Sequence, residues 1–382
     1  MPRQYYAVRI NVNRMARAAV SFSTLLSWTL VAFTIEVDNE VERRLAEAGP
    51  RRAFGISHAF WANYVRFVRD DGMPARELHA AAGFSASDRW LLGALERWGY
   101  ITVDRTRPRA WTLRPTATCL RARSLWQPVP DLIERRWRER FGAPELDELR
   151  ASLESIESRI PVALPHYVPL LGYGFASTSG DFPARELAAP GTPAERFDLP
   201  ALLSHALHSF ALEYEARSTL SLPLGANVLR ILDGSGVPVR ELPARSGVSR
   251  EGLAMATGFL ASRGLATLET GQGAPRVKIV RLTESGLRAR EAYEQNLAGT
   301  EERMAARFGS DELQRLRKAL TSLVERREDG QPLLARGLEP PPGAWRGRPP
   351  YLAQTEAMLR DPAGALPHYP LVLHRGGWPD GS

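Results

Sequence analysis

Two short segments of the sequence concentrate basic side chains and offer the clearest chemistry in the chain. Residues 104–114 carry four arginines against one acid, Asp104, and residues 276–278 contain Arg276 and Lys278. Arginine and lysine on a flexible hairpin suit phosphate contacts or insertion into the minor groove of a nucleic acid. The basic side chains expected to make such contacts are Arg105, Arg107, Arg109, Arg276 and Lys278.

Histidines and carboxylates do not combine into a recognisable metal or catalytic site. His205 and His208 share a predicted helix face, but no third histidine lies on a neighbouring motif, which favours a core or crevice position. Asp38 lies two residues from Glu36 and from Glu40, and positions that close on a helix do not face each other. No phosphate loop, dinucleotide fingerprint or Gly-x-Ser-x-Gly motif occurs. The sequence therefore predicts no catalytic residues, no cofactor and no metal, and a protein that is not an enzyme.

The single cysteine and the net charge limit the class of protein. Cys119 is the only cysteine, which excludes a disulfide framework and thiolate zinc sites and favours a reducing cytoplasm. The formal net charge is +7, which favours phosphate-bearing partners. Only Lys278 and Lys318 among the basic residues are lysines, so GC-rich codon usage is an alternative origin of the arginines.

An uncharged stretch from Ala18 to Ile35 resembles a leader or a short membrane span. It contains several serines and threonines, runs directly into the acidic residues 36–40, and shows no small-residue cleavage pattern. A related stretch deeper in the chain includes histidines and a glutamate. We therefore expect a buried helix of a soluble protein, with no membrane partner.

The sequence repeats itself in three ordered blocks. Residues 25–36 recur at 202–213, residues 72–85 at 236–249, and residues 120–150 at 287–317. A Leu-Pro-His-Tyr tetrapeptide closes each unit, at 164–167 and at 366–369. At 382 residues, the length also fits two or three domains of about 150 residues each. The pattern predicts one fold that was duplicated and then diverged.

Each unit has the element order of a winged helix-turn-helix. In the second unit, apolar spacing predicts a helix over 199–217 and a helix that opens at Pro223. A short helix over 239–245, a turn at 246–249 and a helix that ends at Gly264 follow, then strands at 265–269 and 277–282 and a long helix from near Thr283. The first unit predicts a helix over 75–82, a turn at 82–85, a helix that ends at Gly99, and strands near 100–104 and 110–113.

The second unit resembles the multiple-antibiotic-resistance-regulator (MarR) type of winged-helix protein. The resemblance rests on residues 247–249 in the turn, 263–265 at the helix end, Arg276 and Lys278 in the wing, and 281–286 after it. The first unit is a degenerate relative that matches at 97–100 and has Cys119 where the family pattern expects glycine. The resemblance covers about residues 22–156 and 198–325. It implies a cytoplasmic, often ligand-responsive transcriptional regulator, usually a homodimer joined by terminal helices.

The predicted architecture is mainly α with small β-wings, in which duplicated winged helix-turn-helix units form a covalent pseudo-dimer through their terminal helices. We expect a first unit at 22–160, a linker at 161–197, a second unit at 198–327 and a Pro/Gly/Arg-rich tail at 328–382. The linker and the tail each carry one Leu-Pro-His-Tyr segment, with an extended loop over 328–350. A monomer that acts as a pseudo-dimer and a homodimer both remain open.

The expected partner is double-stranded DNA, read by both units. The second recognition helix presents Glu251, Met255, Gly258 and Ser262, which offer little of the Arg, Asn or Gln that reads base edges. The alternative is that one or both units have lost DNA binding. The chain would then be a small-ligand or protein-interaction module. The predicted DNA-binding residues, besides the five basic residues above, are Ser85, Ser87, Arg89, Ser249 and Arg250.

A ligand-responsive repressor also needs an effector site, which we expect between the terminal helices and the winged bodies. Aromatic and histidine side chains provide an apolar body with a polar end, which suits a small aromatic or cationic effector. Ordinary core packing is the alternative for these residues. The residues expected to bind the effector are Trp28, Tyr167, His205, His208, Tyr214 and Tyr369.

Overall fold

The computed structural model describes residues 20–47, 64–81, 89–107, 110–164, 197–218, 220–248, 250–270 and 277–370. Over these ranges the chain is mainly helical, with small antiparallel sheets of two or three strands. The predicted mainly helical fold with small sheets is thus confirmed.

The first half contributes a long helix, a small sheet with its helices, and a helical hairpin. Its elements are α1 (Phe22–Glu47), β1 (Met73–Pro74), α2 (Ala75–Ala81), α3 (Arg89–Arg97), β2 (Ile101–Asp104), β3 (Thr112–Pro115), α4 (Ala117–Trp126), α5 (Val129–Phe141) and α6 (Ala143–Glu157).

The second half has a similar order of elements. They are α7 (Leu199–Glu215), a π-helical turn (Leu222–Ala226), α8 (Asn227–Leu229), β4 (Val237–Pro238), a 3-10 turn (Val239–Glu241), α9 (Leu242–Ser246), α10 (Arg250–Ser262), β5 (Ala266–Thr270), β6 (Lys278–Leu282), α11 (Glu284–Phe308) and α12 (Ser310–Glu325).

A C-terminal segment (residues 326–370) completes the described chain. It contains the hairpin β7 (Arg327–Glu328) and β8 (Gln331–Pro332), 3-10 turns at Leu333–Gly337 and Trp345–Gly347, α13 (Leu352–Arg360) and α14 (Pro362–Ala365).

In the described residues, side-chain caps start three helices where the backbone changes from extended to helical. Thr116 begins α4 by accepting a hydrogen bond from the Cys119 amide at 3.2 Å. Asp198 accepts a hydrogen bond from the Ala201 amide at 3.0 Å and so begins α7. Thr283 does the same for α11 through the Gly286 amide, also at 3.0 Å. Such caps satisfy amide groups that have no partner within the helix.

Helix α1 is buried along most of its length despite its polar residues. The hydroxyls of Thr29 and Thr34 donate to the carbonyls of Leu25 and Leu30 within the helix, at 2.8 and 2.9 Å. Their polar atoms are therefore satisfied inside the core. No helix in the described ranges has the length and apolarity needed to cross a membrane.

Within the described ranges, six long helices pack together as a bundle. Helix α1 packs on α7, and α6 packs on α12. Helix α1 also contacts α12, and α6 contacts α7. The hairpin of α5 and α6 and the hairpin of α11 and α12 thus occupy matching places around the α1–α7 pair. Phe33 and Trp137 meet edge to face at 5.1 Å between ring centroids within this core.

The two three-stranded sheets have the same topology. The first has the strand order β1-β3-β2, with Leu113 opposite both Met73 and Val103. The second has the order β4-β6-β5, with Val280 opposite both Val237 and Leu268. The short first strand of each sheet leads directly into a helix.

The C-terminal segment packs against α1. For residues 328–350 the sequence predicted an extended loop lying on the folded body, and the structure has two 3-10 turns within that range. Leu333, Leu334 and Leu338 are buried, which explains why this Pro- and Gly-rich stretch is folded onto the bundle. Asp38 of α1 forms a buried ion pair with Arg346.

Candidate nucleic-acid interface

An open groove of about 630 Å³ lies between α9, α10 and the β5–β6 hairpin. We call it the second groove. Its rim carries three cations, Arg240, Arg250 and Lys278, and none of its lining residues is acidic. The lining residues are Val239, Arg240, Pro243, Arg250, Leu253, Ala254, Thr257, Leu268, Val277 and Lys278.

A groove of about 450 Å³ occupies the corresponding place beside the first sheet, between α2, α3 and the β2–β3 hairpin. We call it the first groove. It carries Arg76 and Arg107, but also the carboxylate of Asp104. The lining residues are Pro74, Ala75, Arg76, His79, Leu92, Asp104, Thr106, Arg107, Ala110, Trp111 and Thr112.

Glycines bring the strand before each groove into place. Gly236 has φ +84°, and a Cβ there would lie 2.7 Å from the Ile279 side chain. Gly72 has φ +89°, and a Cβ there would lie 2.7 Å from the Leu113 carbonyl oxygen. Only glycine allows β1 and β4 to approach the neighbouring strand this closely with positive φ.

Arg76 and Arg240 are groove residues that the sequence analysis missed. Both stand at the fifth position of the repeated Gly-x-Pro-x-Arg-Glu-Leu motif, at 72–78 and 236–242, and both are exposed. Each follows directly on the strand that the glycine positions. The motif was itself the available signal, because it repeats an arginine where the helix begins.

The cations of the second groove are available for an external partner. Arg240, Arg250 and Lys278 are exposed, and none forms an ion pair with a residue that the structure describes. Free cations on a rim without acids create a positive potential that attracts a polyanion.

Arg105 in the first hairpin is already engaged. Its guanidinium pairs with Glu96 at 2.7 Å and lies 5.1 Å from the centroid of the Trp111 ring. The hydrogen bond from Arg105 lowers the pKa of Glu96. Arg107 is exposed at the edge of the first groove. Of the predicted first-wing cations that the structure describes, Arg107 is therefore the one placed to reach outward.

Several predicted DNA-binding residues lie outside the described residues. Helix α3 begins at Arg89, whose side chain is likewise outside the described part of the chain. The others are Ser85, Ser87, Arg109, Ser249 and Arg276.

Trp28 and Tyr369, predicted to bind an effector, meet the C-terminal segment. The Trp28 indole donates to the Leu366 carbonyl at 3.2 Å, and its ring meets His368 edge to face at 5.4 Å. Burial, together with the charge of Arg230, holds the pKa of His368 well below its ordinary value. Tyr369 is buried at 1% exposure. The segment itself thus fills the space beside Trp28.

His205, His208 and Tyr214 lie in the core of the bundle. The Nδ1 atom of His205 is 2.9 Å from the Glu157 carboxylate. Tyr214 packs edge to face on Tyr293, with 6.2 Å between ring centroids. Neither groove is lined by these residues or by Trp28 and Tyr369, and Tyr167 lies outside the described residues. The structure therefore does not gather the predicted effector residues into one described cavity.

Metal and thiol chemistry have little support among the described side chains. These contain no group of three His, Cys, Asp or Glu residues that could hold a metal ion. Burial raises the pKa of the Cys119 thiol to about 11. A thiol in that environment stays protonated at neutral pH and is a poor nucleophile.

Comparison with known proteins gives no match to a protein-family model and no match to a curated protein.

Proposed function

We propose that this chain is a sequence-specific DNA-binding transcriptional regulator that presents two winged helix-turn-helix units to DNA. The observation that carries the proposal is the second groove, which combines a helix, a hairpin and three exposed cations without an acid. A first groove stands at the corresponding place in the other half, with Arg76 where the second has Arg240.

Duplication of one unit accounts for the way the halves pack. The two sheets share one strand order. In the bundle, the contact of α1 with α12 is matched by the contact of α7 with α6. The contacts of α1 with α7 and of α6 with α12 each join corresponding helices of the two halves. This pattern supports a covalent pseudo-dimer, because each unit buries the apolar faces of its terminal helices against the other.

Ligand-responsive repression in the cytoplasm is part of the same proposal and rests on the resemblance to MarR-type regulators. A small aromatic or cationic effector would act by changing how the two winged helix-turn-helix units, which we call the heads, are held on the bundle. Trp28, at the contact between α1 and the C-terminal segment, is the predicted effector residue best placed to transmit such a change.

Salt-dependent binding to the chain's own upstream region tests the proposal. Each phosphate that a cation neutralises adds about 0.9 to the slope of log K against log salt. Replacing Arg240, Arg250 and Lys278 together by alanine should flatten that slope by up to about three units. The matched control replaces Arg121, Lys318 and Arg360, which are exposed on α4, α12 and α13, and should leave most of the slope intact.

No binding of the unaltered chain at low salt to any upstream fragment would contradict the proposal. It would favour the rival class, a protein- or ligand-binding module built on the same fold. Equal effects of both triple variants would mean that general positive charge, and not the groove, holds the DNA.

A further inference from the structure

The outward face of α10 presents small and apolar groups. Ala254, Met255 and Gly258 are exposed along it, and Met255 is 41% exposed. The side chains of Ala254 and Met255 cannot donate a hydrogen bond to a base edge, and Gly258 has no side chain. The middle of this helix therefore lacks the side-chain donors needed to recognise bases by hydrogen bonds.

The hydroxyl groups on the same helix are turned to its own backbone. Thr257 donates to the Leu253 carbonyl at 2.7 Å, and Ser262 donates to the Phe259 carbonyl at 2.8 Å. Each hydroxyl has a single proton, so neither has a donor left for a base. The methyl group of Thr257 remains and adds to the apolar lining of the groove.

The hairpin side of the second groove is apolar as well. Leu268 is 53% exposed on β5, although it is a large hydrophobic residue, and it lines the groove together with Leu253 and Val277. Such an apolar lining is a surface that a partner can cover. Arg240, Arg250 and Lys278 on the rim indicate that this partner is anionic.

DNA presents one apolar group to a protein helix in the major groove, the C5-methyl group of thymine. We propose that the outward face of α10 and the adjoining edge of the second groove select T-containing half-sites by apolar contact of Ala254, Met255 and Leu268 with thymine methyl groups. The three cations of the groove hold the flanking phosphates. The inference rests on the proposed function, because it specifies what the second head recognises once DNA is bound.

The first groove has a different character, which makes the inference specific to one head. Asp104, Arg107 and His79 lie in its lining, whereas the lining of the second groove contains no acid and no histidine and includes Leu253, Leu268 and Val277. Sensitivity to thymine methyl groups should therefore be confined to one half of the bound site.

The test uses the full chain and DNA that differs only in that methyl group. A random duplex library is enriched on the protein, and the enriched site is synthesised with thymidine or with deoxyuridine in each half-site in turn. Burying one methyl group favours binding about fourfold. Deoxyuridine should therefore weaken binding about fourfold for each contacted methyl in one half-site, and leave binding unchanged in the other half and outside the protected region.

The Met255→Ala variant links this effect to the proposed residue. Its site is exposed, so the fold should be retained, and the penalty for deoxyuridine should shrink at one position of the half-site. Leu120→Ala, at 40% exposure on α4, is the control and should keep the full penalty.

Three outcomes would overturn the inference. Equal affinity for thymidine and deoxyuridine duplexes, with the salt slope still lowered in the Arg240, Arg250 and Lys278 variant, would show that the head binds DNA without reading methyl groups. Enrichment of G·C pairs under α10 would show reading by hydrogen bonds. No DNA binding at all would remove the proposed function together with the inference.

Discussion

The side-chain amide of Asn227 both donates a hydrogen bond to the backbone of Tyr369 and accepts one from it. Its Nδ2 donates to the Tyr369 carbonyl at 2.7 Å, and its Oδ1 accepts from the Tyr369 amide at 3.2 Å. The same Oδ1 accepts from the His368 amide at 2.8 Å. One asparagine thus attaches the end of the C-terminal segment to the helical turn that leads into the second sheet.

Replacing Asn227 by alanine should detach that end of the segment. Three buried or half-buried backbone groups would lose their partner, which costs on the order of 1–3 kcal/mol. Urea unfolding measures the loss, and hydrogen exchange of residues 352–370 locates it. Gln295→Ala, an exposed amide on α11, is the control and should change neither. Unaltered exchange in Asn227→Ala would show that other contacts hold the segment.

Gly247 should tolerate no side chain, for two separable reasons. It ends α9 with φ +74°, and a Cβ there would lie 2.4 Å from the Ala365 carbonyl oxygen. Gly264 has φ +68° but nothing within 4 Å of a Cβ. Gly264→Ala should therefore lose only the conformational term of about 1–2 kcal/mol. Gly247→Ala should lose about 1–3 kcal/mol more from the clash.

Thermal or urea unfolding of the two glycine variants separates the cost of the positive φ from the cost of the clash with the C-terminal segment. Equal losses would mean that the C-terminal segment moves aside freely, and that its approach to the turn before α10 has no energetic weight.

The ion pair of Asp38 and Arg346 should be far more sensitive to substitution than an exposed pair. Both side chains are buried, at 0% and 3% exposure. Arg346→Ala removes one charged partner of a buried carboxylate and should destabilise the protein by about 1.5–3 kcal/mol. The double variant Asp38→Asn, Arg346→Met should recover part of that loss in the same unfolding assay.

An exposed pair provides the comparison. Arg288 and Glu284 are 62% and 88% exposed on α11, so Arg288→Ala should change stability by about 0.5 kcal/mol or less. If Arg346→Ala lowered the free energy of unfolding no more than Arg288→Ala does, the C-terminal segment would be held by its apolar residues alone.

Glu215 should make the protein less stable as the pH rises. Burial raises its pKa to about 7, while its Oε1 accepts from the Leu222 amide at 2.9 Å. A carboxyl with a raised folded pKa stabilises the fold fully below its unfolded value, near 4.5, and loses that contribution as the pH passes through about 7. The loss is at most about 3 kcal/mol, because the side chain is only partly buried.

Glu215→Gln keeps the acceptor and removes the titration. We expect the variant to gain stability relative to the natural chain between pH 5 and pH 8, measured by urea unfolding. Glu302→Gln, an exposed change on α11, should leave that pH dependence as it is. A difference between Glu215→Gln and the natural chain that does not vary with pH would contradict the raised pKa.

Local patterns of apolar residues predicted the longer elements, because the residues that a helix or strand buries recur at a regular spacing along it. The predicted helix at 199–217 is observed at Leu199–Glu215, and the predicted strands at 265–269 and 277–282 are observed at Ala266–Thr270 and Lys278–Leu282. The two-residue strands at Met73–Pro74 and Val237–Pro238 were not predicted, since their only signal is pairing with a distant strand.

The candidate site was predictable only in part. Lys278 and Arg250 were identified from their hairpin and helix positions, and both line the second groove. Arg240 was not identified, because its role depends on the groove that three separate elements form. The contact of Asn227 with Tyr369 spans 142 residues, and no local pattern of residue types predicts such a pair.

The mass of the protein–DNA complex shows whether one chain carries both reading heads. Light scattering on the full chain with its enriched duplex should give one 42.4 kDa chain per duplex. Footprinting should give two protected patches on that duplex, of which Arg76→Ala weakens one and Arg240→Ala the other. Two chains per duplex across a perfect inverted repeat, with each variant weakening both patches equally, would contradict the account.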